Sequence, residues 1–341
     1  MSYPASPSSK KMPESSSRQR QLVAGVTMTV VVALAARFVD DQLGIPDMLV
    51  ALLLGIALHS VIDHDQSRRG IAFTASAILR FGIVLLGARI TLYEIQGLGL
   101  SSLVTVLAAI VATILAGILG ARLLGFRGSF GALTGGATAI CGASAALALA
   151  AVLPRHDKME RETSVTILGV TVLSSIAMLL YPLLGIAFGF SESENGLLLG
   201  ATIHDVAQVV GAGYSMSVEI GDQATLTKLL RVALLLPAVF IIGLTFGARR
   251  GDESRAPVPA FLLGFLALVC WNTWVGLDPS LRDVLVEVSR WFLLMAVAAI
   301  GIKTPIGAVV TIGPRALGLL VMETVFLLTF ILVVILGFSW I

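Results

Sequence analysis

Along the chain, long uncharged apolar stretches are separated by short polar ones. Ile95 to Ala121, Gly128 to Pro154, Thr163 to Ser191, Ala256 to Leu277 and Thr324 to Ile341 contain no Asp, Glu, Lys or Arg. Each reaches the roughly 17 to 25 residues that carry a helix across the hydrocarbon of a bilayer. They are apolar on every side, so no surface period shows through, and none has the alternation over about ten residues of a membrane barrel strand. Interpolating the shorter runs predicts about eleven helical spans, at roughly 21–39, 46–62, 71–89, 98–123, 129–153, 163–189, 196–216, 226–247, 258–276, 286–303 and 314–340. The expected fold is an all-α polytopic membrane protein.

Composition narrows the class. Of 341 residues, 57% are hydrophobic and 13% charged, where soluble domains carry about 25% charged residues. So few charges cannot cover a water-facing surface, which excludes a soluble enzyme. A formal charge of +2 is too small and dispersed for a phosphate-tracking nucleic-acid face. The two cysteines, Cys141 and Cys270, lie in apolar stretches, so no disulfide framework is expected. The Ser- and Pro-rich segment 1–20, with Lys10, Lys11, Arg18 and Arg20 against Glu14, reads as a disordered cytoplasmic tail preceding a retained first helix. The rest, 21–341, reads as one transmembrane domain. With the amino terminus inside, more of the loop Lys and Arg also fall inside, the usual bias.

The segment 46–55 that opens the second span resembles 259–268, which opens the ninth, at an offset of 213 residues. Gly87-Ala-Arg-Ile-Thr91, at the end of the third span, resembles Gly301-Ile-Lys-Thr-Pro305, at the end of the tenth, at an offset of 214. An odd number of crossings separates each pair, so related segments would run in opposite senses. That is an inverted repeat, with units at about 46–125 and 259–340, an arrangement found in many secondary transporters. Chance likeness between apolar strings is the alternative.

Chemistry concentrates in three spans. The fifth reads Gly131-Ala-Leu-Thr-Gly135-Gly136-Ala-Thr138-Ala-Ile-Cys141-Gly142-Ala-Ser144. Each interior Gly costs a helix about 1 kcal/mol relative to Ala. A break at depth is therefore expected between Thr138 and Ser144, tolerable only where the freed backbone meets protein, water or solute. Freed N–H groups would suit an anion and freed carbonyls a cation. A straight helix whose small residues allow close packing is the alternative. The seventh span carries His204, Asp205 and Gln208. Read as one helix, it places them on neighbouring stripes, facing a wet cavity because an unpaired charge at depth costs about 2.5–3.5 kcal/mol; a buried His204–Asp205 pair that only fixes helix packing is the alternative. The eighth offers Lys228 and Arg231 on one face, suited either to an oxyanion or to snorkelling toward headgroups. Snorkelling equally explains Arg89 and Lys303. No metal-ligand spacing, nucleophile elbow or Walker-type loop occurs, so neither a metal, a cofactor nor an enzymatic reaction is expected.

At Thr138-Ala-Ile-Cys-Gly-Ala-Ser144, Ile203-His-Asp-Val-Ala-Gln-Val-Val210 and Lys228-Leu-Leu-Arg231, the chain resembles the YeiH-type family of bacterial inner-membrane proteins, which are labelled sulfate exporters by inference. The resemblance runs from about residue 20 to the carboxyl end. It implies distant kinship with bile-acid symporters and sodium/proton antiporters, in which two discontinuous helices cross near the midplane. By that analogy the fifth span is one crossing element, and the tenth, with Gly301 and Lys303, the other. Val206 departs from the family, where a small hydroxyl residue is expected after the Asp. The implied function is secondary transport of a small inorganic or organic anion, sulfate or a sulfonate, coupled to a proton or sodium gradient. Thr138, Cys141, Gly142, Ser144, His204, Gln208, Arg231 and Lys303 would hold the anion, and Asp205 the coupling ion. A passive channel and a membrane-embedded sensor or assembly partner are the alternatives. The expected partners are that anion, H+ or Na+, and the bilayer, with no nucleic acid and with a second copy of the chain in a homo-oligomer as an option.

Overall fold

The structure, a computed structural model, describes residues 14–59, 64–93, 99–246, 260–303 and 312–337. Among them every regular element is helical. The elements are α1 (Glu14–Leu43), α2 (Asp47–Leu58), α3 (His64–Phe73), a π-helical turn (Thr74–Ile78), α4 (Leu79–Leu86), α5 (Gly99–Leu123), α6 (Gly128–Ala139), α7 (Ala143–Val152) and α8 (Met159–Phe188). They continue as α9 (Glu192–Thr202), α10 (Val206–Tyr214), α11 (Val218–Ala233), α12 (Leu235–Phe246), α13 (Ala260–Trp274), α14 (Pro279–Lys303) and α15 (Pro314–Gly337). The first helix starts inside the segment read as a tail, whose residues 1–13 lie outside the described residues. Pro259 and Pro305 of the duplicated segments lie outside them too.

Seven helical stretches are long and apolar enough to cross a membrane, which makes this a multi-pass membrane protein. The other four of the eleven expected spans differ for identifiable reasons. α2 has 12 residues and α13 has 15, short of the length a full span needs. The fifth and seventh spans are interrupted, as α6/α7 and α9/α10. The outer surface suits lipid. On α5, Leu103, Leu107, Val111, Leu115 and Leu119 are exposed, while Val106, Ala109, Ile110, Thr113 and Gly117 are buried on the opposite face. In water that stripe would be an aggregation site; in hydrocarbon it costs nothing.

The helices pack in two groups. α1, α2, the α3–α4 helix, α13 and α14 form one, and α5 to α12 with α15 form the other. α10 belongs to the second group yet packs against α2 and α14 of the first. Within the first group the backbone makes two close approaches at glycines. A Cβ built on Gly301 of α14 would stand 2.5 Å from the Leu52 carbonyl on α2, and one on Gly87, just past α4, 2.7 Å from the Phe265 carbonyl on α13. A polar junction also joins the groups. Arg89 Nε lies 3.0 Å from Asp222 Oδ2 on α11, and Tyr214 OH donates to Asp222 Oδ1 at 2.6 Å.

Candidate functional site

The interruption expected between Thr138 and Ser144 falls at Ile140–Gly142. α6 ends at Ala139; Ile140 leaves the helix at φ −111°, ψ −82°, and Gly142 caps α7 at φ 62°, ψ −124°. The turn is closed by Ile140 N–H donating to Gly136 O at 3.1 Å and Gly142 N–H to Ala137 O at 2.8 Å. Residues with a Cβ avoid that left-handed region. A Cβ on Gly142 would meet nothing nearer than the His204 carbonyl oxygen at 3.5 Å, so the requirement is conformational, not spatial. Gly142→Ala should therefore cost about 1–2 kcal/mol, read as an earlier midpoint along a sodium dodecyl sulfate unfolding titration; an unmoved midpoint would remove the strained-turn assignment.

The seventh span is not one helix. α9 ends at Thr202 and α10 starts at Val206, with Ile203 and Asp205 in extended conformation. His204 and Asp205 thus sit in the gap rather than on stripes of a helix, and only Gln208 is helical. Ser174 of α8 holds the gap open: its Oγ accepts from His204 N–H at 3.2 Å and Asp205 N–H at 3.1 Å. Asp205 then caps α10, its Oδ1 accepting from Ala207 N–H at 3.0 Å. This corrects the assignment of the second crossing element. The tenth span is the continuous 25-residue helix α14, with Lys303 exposed at its end. The partner of the broken fifth span is the broken seventh.

The two gaps meet at α11. A half-helix that ends at depth leaves its last carbonyls without intrahelical donors, and their dipoles sum to a partial negative charge. Lys228 and Arg231, 0% and 1% exposed, supply the missing donors. Lys228 Nζ donates to the carbonyls of Ile140 at 2.7 Å, Ile203 at 2.9 Å and His204 at 2.6 Å. Arg231 Nε donates to Ala139 O at 2.8 Å, Nη2 to Thr138 O at 3.0 Å, and Nη1 to Gly200 O at 3.0 Å and Ile203 O at 2.9 Å. One pair of cations thus binds the carboxyl ends of α6 and α9 together. Neither side chain snorkels, and their donors face backbone.

The other expected site residues divide by exposure. His204 is 0% exposed, with Nδ1 3.1 Å from Thr138 O and Nε2 3.1 Å from Thr324 Oγ1; it is walled in rather than facing water. Gln208 is buried, donating to Ser175 Oγ at 2.8 Å, and its Oε1 has no hydrogen-bond partner. Thr138 and Cys141 are buried as well. Ser144 is exposed, and Ala143, Asp205 and Val206 are partly exposed. These four form the amino ends of α7 and α10, and no side chain caps α7. A separate cavity of about 140 Å³ lies between the two helix groups, lined by Asp47, Arg89, Tyr214, Glu287, Ser289 and Arg290.

Sequence reasoning missed Glu323. It lies in α15, 0% exposed, with Oε1 2.6 Å from Thr134 Oγ1 and Oε2 accepting from Thr138 Oγ1 at 3.2 Å. The signal was present as a lone acid between Val321-Met322 and Thr324-Val325.

The family model described as Conserved hypothetical protein 698 matches residues 20–320. The chain is similar to the UPF0324 membrane protein TauZ of Paracoccus pantotrophus, 48% identical over 314 residues, which are 90% of this chain and 93% of the relative. A UPF0324 membrane protein of Rhizobium meliloti (strain 1021) is 47% identical, covering 90% of this chain and 91% of the relative. One of Chlorobaculum tepidum is 43% identical, covering 90% and 87%. No solved structure matches. The span of the match, with Thr138–Ser144, Ile203–Val210 and Lys228–Arg231 all inside it, shows that the chain belongs to the UPF0324 family of membrane proteins.

Proposed function

We propose that this protein is a secondary transporter of a small anion, sulfate or a sulfonate, and not an enzyme. It works in the bacterial inner membrane with its amino terminus in the cytoplasm, driven by a proton or sodium gradient. One observation carries the reading: two interrupted helices bring their breaks together, and their carboxyl ends are bound to one another by Lys228 and Arg231. Broken helices at depth are tolerated only where they line a cavity or are buried in protein, and in transporters they form the solute site. With the carbonyl ends satisfied, the amino ends of α7 and α10 remain for solute. The N–H groups at Ala143 and Ser144 suit an anion, while Asp205, partly exposed beside them, suits a cation.

An inverted repeat is part of the same proposal. Residues 52 and 265 stand at the offset of 213, and Gly87 and Gly301 at 214, so the two close glycine approaches join corresponding positions of the duplicated segments. α10, which touches both groups, then lies where one group would rock against the other.

The test is uptake of radiolabelled sulfate, and separately of a short alkanesulfonate, into proteoliposomes under an imposed proton or sodium gradient. Saturable uptake that follows one gradient is expected. Asp205→Asn keeps an oxygen for the Ala207 N–H and so should keep stability, while gradient-driven uptake falls about tenfold or more, the effect of an interaction worth ~1.4 kcal/mol. Uptake indifferent to both gradients and unchanged in Asp205→Asn would overturn the coupling; single-channel current steps would replace the carrier by a channel.

A further inference from the structure

Glu323 has no place in the site just described, yet its surroundings are unusual for a carboxylate. It is 0% exposed at depth in α15, and among the described residues its oxygens meet only hydroxyls, those of Thr134 and Thr138. The nearby cations Lys228 and Arg231 spend their donors on backbone carbonyls instead. An ionised carboxylate without a cation is among the costliest groups to bury in hydrocarbon.

Hydrogen accounting accommodates the neutral form as fully as the ionised one. The Thr134 hydroxyl has one hydrogen and three acceptors in reach: Phe130 O at 3.1 Å, Gly131 O at 3.3 Å and Glu323 Oε1 at 2.6 Å. If the carboxyl is neutral, its own O–H donates to Thr134 Oγ1, and the Thr134 hydroxyl donates to Phe130 O. Thr138 donates to Oε2, and every hydrogen then has an acceptor. If the carboxyl is ionised, the Thr134 hydroxyl must turn away from Phe130 O to face it.

From this we infer that Glu323 is a proton-binding site built into the crossing. Its proton is held between α15 and α6, one residue pair from the gap: Thr138, which meets the carboxyl through its hydroxyl, meets Arg231 and His204 through its carbonyl. Thr324, next in the chain, meets His204 Nε2 through its own hydroxyl. Gain or loss of the proton therefore changes the bonds at the carboxyl end of α6. The charged or titratable groups that the packed elements bring toward this network are His204, through Thr324, and Arg231, through the Thr138 carbonyl. The facing stretches 113–121 of α5, 130–139 of α6, 166–178 of α8 and 195–202 of α9 carry none. A sodium ion fits less well, because coordination by both Oε1 and Thr134 Oγ1 would force apart oxygens now 2.6 Å apart. Such a proton would serve the transporter proposed above as a second coupling ion beside the cation assigned to Asp205; that use rests on the transporter reading, whereas the presence of the proton does not.

Infrared spectroscopy of the purified full chain in lipid tests the presence directly. The wild type at pH 7 should show the carbonyl-stretch band of a protonated carboxyl, shifted in D2O, and Glu323→Gln should lose that band. Thr134→Val, which removes the hydroxyl but not the acid, should keep the band and move it, and Glu323→Asp should move it where Glu323→Gln does not fold. A wild type without the band at pH 7, or a band unchanged in Glu323→Gln or Glu323→Asp, overturns the inference. Loss of the band on adding NaCl at constant pH overturns it in favour of sodium. A band that behaves as expected in a protein that moves neither sulfate nor alkanesulfonate would leave the proton site standing and remove the transporter reading.

Discussion

Arg231→Met should be the most damaging single substitution at the crossing. Methionine keeps much of the length and all of the apolar stem, so the change isolates the guanidinium. Of the four carbonyls that the guanidinium serves, Ile203 O keeps Lys228 and Thr138 O still faces His204 Nδ1. Ala139 O and Gly200 O lose their donor. A buried acceptor left unmade costs about 1–3 kcal/mol, so roughly 2–6 kcal/mol is expected for the two. Partial negative charge at the carboxyl ends of α6 and α9 would then lack half of its compensation. Arg231→Lys should recover only part, because an ammonium is a point charge without the planar fork that reaches both gaps. The comparison that makes this decisive is Arg290→Met. That guanidinium is 41% exposed and meets Asp47 Oδ2 at 3.1 Å, and the buried Asp47 keeps Arg37 at 3.1 Å when it is removed, so a loss of only about 1 kcal/mol is expected. Midpoints along a sodium dodecyl sulfate titration should fall steeply for Arg231→Met, partly for Arg231→Lys and barely for Arg290→Met. Equal midpoints for wild type and Arg231→Met would show that the cation does not hold the crossing together.

The interrupted fifth span was legible in the sequence because its cause is local. Four glycines and three hydroxyl residues between Gly131 and Ala145 raise the cost of a continuous helix enough to be seen without any partner. The seventh span gave a weaker signal. Its residues 196–202 and 206–214 are each acceptable helix, and spacing alone made His204, Asp205 and Gln208 look like one face. What marks the gap is Asp205, a capping residue whose side chain reaches Ala207 N–H and which has no reason to lie mid-helix. The role of Lys228 and Arg231 could not be read at all. Their partners are backbone carbonyls of Thr138 to Ile140 and Gly200 to His204, and a carbonyl freed by a break has no letter in the sequence. The tenth span, with Gly301 and Lys303, is a second crossing element only by analogy with the distantly related transporters, and nothing local in it marks a break. In the structure that glycine serves close packing on α2 and the helix runs on to Lys303. Glu323 was hidden by its neighbours, since one acid barely lowers the hydropathy of a 24-residue helix.

Gly117→Ala should be the second severe substitution, for a reason of packing rather than charge. A Cβ on Gly117 would stand 2.6 Å from Glu323 Oε1, 2.7 Å from the Gly131 carbonyl oxygen and 3.0 Å from Gly135 Cα. A carboxyl can swing aside, but the two backbone atoms belong to α6 and move only if the helix does. The approach is mutual: a Cβ on Gly131 would come within 2.3 Å of the Gly117 carbonyl oxygen. Helices in a bilayer gain little from apolar burial and depend on such close contact between small residues. Forcing one methyl into it costs typically 1–3 kcal/mol, and the upper end, about 3 kcal/mol, is expected where backbone meets backbone. Gly318→Ala is the control, since nothing lies within 4 Å of a Cβ there and the change should leave stability equal or raise it by up to ~1 kcal/mol through helix propensity. The same methyl must also displace the Glu323 oxygen that bonds Thr134, so the midpoint loss in Gly117→Ala should come with a displaced protonated-carboxyl band in the infrared, and Gly318→Ala should change neither. A Gly117→Ala protein with the wild-type midpoint and an unmoved band would mean that α5 and α6 are not in contact at that depth, and the carboxyl would then lack the wall that keeps water from it.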